Sequence, residues 1–264
     1  MIIILIIIII IILIIILILV KYYNFKKLIN TTKVFITFGG GGQNYIDAGK
    51  RLISQADSLK LFDKSILYTD EYLKNDEEFW TLHSNFIENN KRGYGYWLWK
   101  SYIIKKTMNT LKNGDILMYL DGGCEINLQN KSEINNYFIF VKNDYIINTL
   151  TGHSDRVYNK MDLVLKLNMN DELHLNTLQQ QAGALLFLIC DKTRNLVNEW
   201  YDISCNYHLI DDSPSINKNV DDFIEHRHDQ AILSLLMKKY NFNSNKSLYN
   251  IINYARNRSG QSIL

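Results

Sequence analysis

Hydrophobic positions in this chain come in short unbroken runs, separated by longer stretches in which they recur every three or four residues. Five runs stand out: VFITF at 34–38, SILYT at 65–69, ILMYL at 116–120, YIINTL at 145–150 and QAGALLFLIC at 181–190. A continuous apolar run bounded by turn residues reads as a strand buried on both faces, as in a parallel sheet. Between the runs, 44–59 places Ile46, Leu52, Ile53, Ala56 and Leu59 roughly on one helical face. Further helices are expected from about 100 up to Leu111, over 191–207 with Leu196, Val197 and Trp200, and over 226–240 with Ile232, Leu235 and Leu236 inward. Strand, glycine loop, helix, strand is the opening of a doubly wound α/β unit. Residues 71–92 read as irregular helix and loop, and 211–222 as an acidic, polar loop. The stretch 151–178 resists assignment, and the Asn- and Ser-rich 241–264 is expected to be loosely held.

The start of the chain is different in kind. Residues 1–20 are almost all Ile and Leu and carry no charge, which is the length a helix needs to cross a bilayer core. A cleaved signal peptide would have a basic start and a small-residue cleavage site, and neither is present. The expected organisation is a single-pass membrane anchor at 1–20, a juxtamembrane linker at 21–32 and one α/β domain at 33–264. Lys21, Lys26 and Lys27 favour a cytoplasmic domain by the positive-inside rule, while the lumenal orientation stays open. The 29 basic and 27 acidic residues give a net charge of +2 with no basic block longer than a pair, so nothing points to nucleic acid. Cys124, Cys190 and Cys205 form no Cys-x-x-Cys pair, which argues against a disulfide scaffold or a structural zinc site.

Candidate chemistry sits where runs end. The run 116–120 stops at Asp121, followed by Gly122 and Gly123. Open α/β sheets bind ligands at the carboxyl ends of their strands, so Asp121 suits a hard cation or a sugar hydroxyl; a plain turn cap is the alternative. In FGGGGQNY (Phe38, Gly39, Gly40, Asn44 and Tyr45 among them), backbone N–H groups can face a phosphate or a base, though the loop matches neither the P-loop nor G-x-G-x-x-G. Lys100 closes GYGYWLWK, where a cation beside an aromatic platform suits a diphosphate or a stacked base; Trp97 and Trp99 read equally as core. Gln181 and Gly183 open a buried strand, with Gly letting a substrate lie on the backbone and Gln able to bond a sugar hydroxyl or cap the strand. In HRHDQ, His226 and His228 pair on a metal only if the segment is extended. Asp229 and Gln230 sit where a helix N-cap belongs, or beside a reacting sugar.

TFGGGGQNY, YLDGGCE, QQAGALLF and HDQAILSLL, in that order over about 34–240, resemble the motifs of nucleotide-sugar glycosyltransferases of the GT-A fold. The likeness is to the loosely related glycogenin-like and galactosyltransferase-like families. GYGYWLWK and HRHDQ are similar to blocks of uncharacterised glycosyltransferases. The resemblance implies a GT-A-type, Rossmann-like α/β fold: a mixed, mostly parallel sheet flanked by helices, here preceded by a transmembrane helix. It implies transfer of a sugar from a nucleoside-diphosphate sugar, UDP-sugar favoured, to a glycan or protein acceptor. By position, Phe38–Tyr45 and Lys100 would hold the nucleotide, Asp121 and Gly123 would meet the diphosphate or ribose, and Gln181 and Gly183 would line the sugar. Asp229 and Gln230 would stand at the anomeric centre. The second Asp of the family's Asp-x-Asp falls on Gly123. A divalent metal, Mn²⁺ or Mg²⁺, would then need Asp121 with Glu125 and His228, or else Lys100 and other cations replace it. The same departure leaves open a catalytically inactive binding or scaffold protein.

Overall fold

The computed structural model describes residues 9–18, 31–242 and 246–264. It divides into two units, Met1–Thr32 and Lys33–Leu264. In the first, 9–18 is helical with exposed side chains. The remainder of the expected anchor, 1–8 and 19–20, and most of the expected linker lie outside the described residues. Among the described residues no helix is long and apolar enough to cross a membrane.

Among its described residues the second unit holds nine strands: β1 (Lys33–Gly39), β2 (Lys64–Thr69), β3 (Ile116–Asp121), β4 (Glu125–Ile126), β5 (Ile146–Ile147), β6 (Leu150–Ser154), β7 (Leu178–Gln180), β8 (Ala184–Leu188) and β9 (Ile252–Asn253). Five form a central sheet in the order β2-β1-β3-β8-β5. β1 runs parallel to β2 and β3, while β8 is antiparallel to both β3 and β5, so four of the five strands point one way. This is the mixed, mostly parallel sheet that the resemblance implies. Alternate residues feed opposite cores. Leu117 and Tyr119 of β3, with Leu185 and Phe187 of β8, face the helices Leu98–Met108, Asp191–Ser204 and His228–Lys239. Ile116, Met118 and Leu120, with Ala184 and Leu186, face Gln43–Leu59 and Lys131–Asp144. Burial on both faces explains why β3 lacks polar alternation.

Three segments depart from the sequence reading. Residues 71–92 form two ordered helices, Asp70–Asn75 and Glu77–Asn89, capped by the Thr69 hydroxyl and the Asp76 carboxylate accepting from Tyr72 and Phe79 N–H. GYGYWLWK does not run smoothly into a helix: Gly93, Tyr94, Gly95, Tyr96 and Trp97 all have positive φ, and a regular helix begins only at Leu98. The C-terminal residues 246–264, expected to be loose, are sewn into the domain. β9 pairs with β4, Leu248 and Ile251 are fully buried, and Glu125 and Arg51 bind the last residues. The unassigned 151–178 contains β6, two short helices (Met161–Lys166 and Glu172–Leu175) and the start of β7.

Candidate functional site

Because β1 and β3 are parallel with Phe38 opposite Asp121, the glycine loop and the Asp-Gly-Gly turn leave the sheet at the same edge. β8 is antiparallel to β3, with Leu120 opposite Ala184, so its entry at Gly183 reaches that edge too. Asp121 N–H donates to the Gly183 carbonyl at 2.8 Å. A Cβ on Gly183 would lie 3.0 Å from Asp121 Oδ2, so only glycine lets this carboxylate lie against the neighbouring strand.

Lys100 arrives from the other direction. The left-handed turn before Leu98 lets Trp99 Nε1 donate to the Gly93 carbonyl at 2.9 Å and stacks its ring on Phe38 at 3.8 Å. The next side chain, 3 % exposed, then passes into the core and ends 3.2 Å from Asp121 Oδ1 and 2.7 Å from Asp229 Oδ2. Asp229 lies in the first turn of His228–Lys239, and its carbonyl accepts from the fully buried Trp200 indole at 3.0 Å. It does not cap that helix, for no side chain caps the end at Arg227. Tyr119, reaching the same spot from inside the sheet, donates its hydroxyl to Asp121 Oδ1 at 2.5 Å.

Two carboxylates therefore share one buried ammonium. Burial alone would depress the Lys100 pKa, but Asp121 and Asp229 more than offset it and leave it above the usual lysine value. Asp229 fares worse: burial pushes its carboxyl up and the Asp121 charge adds to this. Lys100 offsets only part, leaving it at about 6. Burial and Asp121 also hold the Tyr119 phenol well above its ordinary value, so it stays a donor. Of the three charged groups only Asp121, with 38 % of its side chain exposed, is open to a ligand; Asp229 is 7 % exposed.

The remaining expected residues separate into two sets. Gln181 is fixed through its backbone, N–H to the Thr149 carbonyl and carbonyl to Asn148 Nδ2, while its side-chain Oε1 is buried without a hydrogen-bond partner. Such an orphan acceptor is uncommon and suits a donor that arrives with a ligand. Gln230 is already engaged, with Nε2 donating to Gln179 Oε1 at 2.7 Å and Oε1 accepting from Ala182 N–H at 3.3 Å. It positions the Gln181–Gly183 corner and does not face an open site.

The expected metal set does not assemble. Glu125 is fully buried on the opposite side of the turn, where it accepts from Asn257 Nδ2, Ser262 Oγ and Ile263 N–H. His228 donates Nδ1–H to the Ile210 carbonyl at 2.8 Å and turns Nε2 towards Asp212, 3.6 Å away. His226 bonds the Leu209 carbonyl and Lys160 N–H. Among the described residues no three His, Cys, Asp or Glu side chains gather around a possible metal position.

Sequence reasoning missed the tail. Tyr254 donates to Thr149 Oγ1 at 2.9 Å, and its ring lies 3.8 Å from where a Gly183 side chain would stand. No local signal marks this, because the contacts join residues far apart along the chain, Tyr254 and Thr149 being 105 positions apart. A cavity of about 610 Å³ lies elsewhere, walled by the loop from Asp212 to Asn219 with Lys160, Glu225 and His226. Its charged walls are paired with neighbours outside it: Lys160 bonds Asp211 at 2.9 Å, Asp212 pairs with Arg92 at 2.9 Å, Lys218 with Asp221 at 2.9 Å and Glu225 with Arg227 at 2.8 Å. The Asp121 edge, with an under-compensated carboxylate and an orphan acceptor, is the better candidate for chemistry.

No protein-family model matches the chain, and no curated protein matches it. Among solved structures it is similar to a glycosyltransferase involved in the glycosylation of the major capsid of PBCV-1 (10 % identity, 65 % of this chain and 66 % of that one, TM-score 0.38). Mouse xyloside xylosyltransferase 1 in its apo form is similar at 9 % identity over 79 % of this chain and 82 % of that one, with TM-score 0.42. The apo bifunctional glycosyltransferase WbbM is similar at 12 % identity over 78 % of this chain, which spans 37 % of WbbM, with TM-score 0.42.

Proposed function

We propose that this chain is a glycosyltransferase that takes a sugar from a nucleoside-diphosphate donor, a UDP-sugar in our reading, and delivers it to a hydroxyl of a glycan or protein acceptor. The observation that carries the reading is the accessible Asp121 carboxylate at the sheet edge, held by Lys100 and Tyr119 and backed by a buried Asp229. A carboxylate on a rigid strand end accepts sugar or ribose hydroxyls in a fixed geometry. The orphan Gln181 Oε1 supplies a second acceptor at the neighbouring corner.

In transfer, the bond from the anomeric carbon to the diphosphate oxygen breaks with its electron pair leaving on that oxygen. The acceptor hydroxyl oxygen then bonds the carbon and passes its proton to the departing diphosphate. The sugar passes through an oxocarbenium-like state, which nearby carboxylate oxygens stabilise. Asp121 is the group that touches the donor. Lys100 and Asp229 are positioning residues that fix its orientation, and Gln230 fixes the Gln181–Gly183 corner. The residues present do not fit the expected Mn²⁺ or Mg²⁺ ion, because Glu125 and His228 are bonded away from Asp121. We also read 1–20 as a membrane-attachment segment; recovery of the full chain in the floating, vesicle-bound fraction tests that point.

The functional test is turnover of a UDP- and GDP-sugar panel by the full chain. Slow release of UDP or GDP that falls at least tenfold in Asp121→Asn, with an unchanged thermal midpoint, is the expected result. Release at the same rate in wild type and variant, or from neither, counts against the reading.

A further inference from the structure

The floor of this site has the wrong charge for its proposed ligand. Asp121 and Asp229 share the single ammonium of Lys100, so the cluster carries an excess negative charge when all three are ionised. A nucleoside diphosphate brings further negative charge to the same edge, and anions brought together away from bulk water repel strongly. A counter-charge is therefore required, and Glu125, the carboxylate expected to join Asp121 on a metal, is spent elsewhere.

The C-terminal segment runs along this edge. Tyr254 lies beside Gly183. Two residues on, Arg256 crosses Gly123 so closely that a Cβ there would lie 3.2 Å from Arg256 Cα, and Asn257 N–H donates to the Gly123 carbonyl at 2.9 Å. Two residues further, the Arg258 guanidinium sits 5.5 Å from the centre of the Tyr45 ring, at the end of the glycine loop. The path is clamped from below. Buried Arg51 donates to the carbonyls of Gly122 and Cys124 at 2.8 Å and to those of Asn257 and Ser259 at 3.2 and 2.6 Å. Arg256 is held at φ 51°, a conformation that costs a non-glycine residue energy and that survives only where the surroundings fix it. Both arginines are exposed, and among the described residues neither makes a hydrogen bond or an ion pair.

We propose that the C-terminal segment is a wall of the donor site, and that Arg256 and Arg258 bind the diphosphate in place of a divalent cation. The inference rests on the donor reading above and names what neutralises the leaving group. Guanidinium groups suit this role because their planar donors match phosphate oxygens and they remain charged at any working pH. The seated tail supplies fixed cations at the edge where Asp121 supplies the sugar contact.

The test is calorimetric titration of the full chain with UDP, GDP, UMP and GMP, in EDTA and again in Mn²⁺. Wild type is expected to bind UDP or GDP in EDTA, more tightly than the monophosphate. Charge-assisted hydrogen bonds of this kind are worth about tenfold or more each, so Arg256→Gly with Arg258→Ala should weaken diphosphate binding on the order of 100-fold and leave monophosphate binding nearly unchanged. Glycine at 256 suits the positive φ, so the tail stays seated, and an unchanged thermal midpoint checks this. Arg→Lys at both positions should restore part of the affinity. Diphosphate binding that needs Mn²⁺, or that is equal in wild type and the double variant in EDTA, overturns the arginine assignment and leaves the donor reading standing. Absence of nucleotide binding in both buffers overturns both.

Discussion

Replacing Lys100 by Met gives the most quantitative view of the buried cluster. The apolar stem is kept and the ammonium removed, leaving Asp229 buried with only the Asp121 charge beside it. Removing one partner of a buried ion pair ordinarily costs about 3–5 kcal/mol. Here the cost has a ceiling, because Asp229 can escape by taking a proton. Its folded-state pKa, about 6 with Lys100 present, rises further without it, whereas the unfolded carboxyl titrates near its ordinary value. A group whose folded pKa is raised stabilises the fold as pH falls through that value. The Asp229 share of the loss is therefore bounded by about 1.4 kcal/mol for each pH unit above 6: about 3 kcal/mol at pH 8 and close to nothing at pH 5. Urea unfolding of Lys100→Met and wild type at those two pH values measures the difference. Lys100→Met combined with Asp229→Asn should flatten it. An equal loss at pH 5 and pH 8, or a pH-dependent loss that survives Asp229→Asn, refutes the reasoning.

Gly183→Ala puts a methyl 3.0 Å from Asp121 Oδ2 and should cut turnover on the order of 10- to 100-fold while shifting the thermal midpoint little; steady-state kinetics with unfolding curves check it. Arg51→Met removes the clamp beneath the tail and leaves Glu125 buried without its nearby cation, 3.9 Å away, at a cost of about 3 kcal/mol. Limited proteolysis should then cleave within 246–264 well before the rest of the domain. His83, fully enclosed between the hydroxyls of Tyr201 and Tyr207, is lowered by burial to about 4, and burial takes His226 to about 3. Both stay neutral in the fold while the unfolded chain takes up protons below about 6.5, so stability should fall from there to about pH 4, partly opposed by Asp229. Urea midpoints across that range, with and without His83→Gln, read the contribution of one histidine.

Much of the fold was legible because it is local. β1, β2, β3 and β8 are continuous apolar runs ending at Gly or Asp, and both cores are visible in the alternation of β3 once its faces are known. The corner residues Asp121, Lys100, Gly183 and Asp229 were legible too, since strand ends and helix starts bring chemistry to one edge. Other features needed distance information. The positive-φ run at 93–97 includes Gly93 and Gly95, which adopt it freely, but also Tyr94, Tyr96 and Trp97, for which no local preference predicts it. The tail looked loose because the groups that hold it, Arg51 and Glu125, lie more than a hundred residues away. For the same reason Glu125 read as a free ligand when it is the anchor of that tail. His228 read as a metal ligand because nothing local shows that its Nδ1 is bonded to the Ile210 carbonyl and that its Nε2 is turned towards Asp212, away from Asp121 and Glu125.

The central claim is that the sheet edge at Asp121 is where a nucleotide sugar binds. Hydrogen–deuterium exchange of the full chain with and without saturating UDP-sugar tests it most directly. Slowed exchange at 39–45, 119–124, 181–184 and 254–258 together is the predicted result. Protection confined to 212–226, around the large cavity, or no protection at the four edge segments, contradicts it.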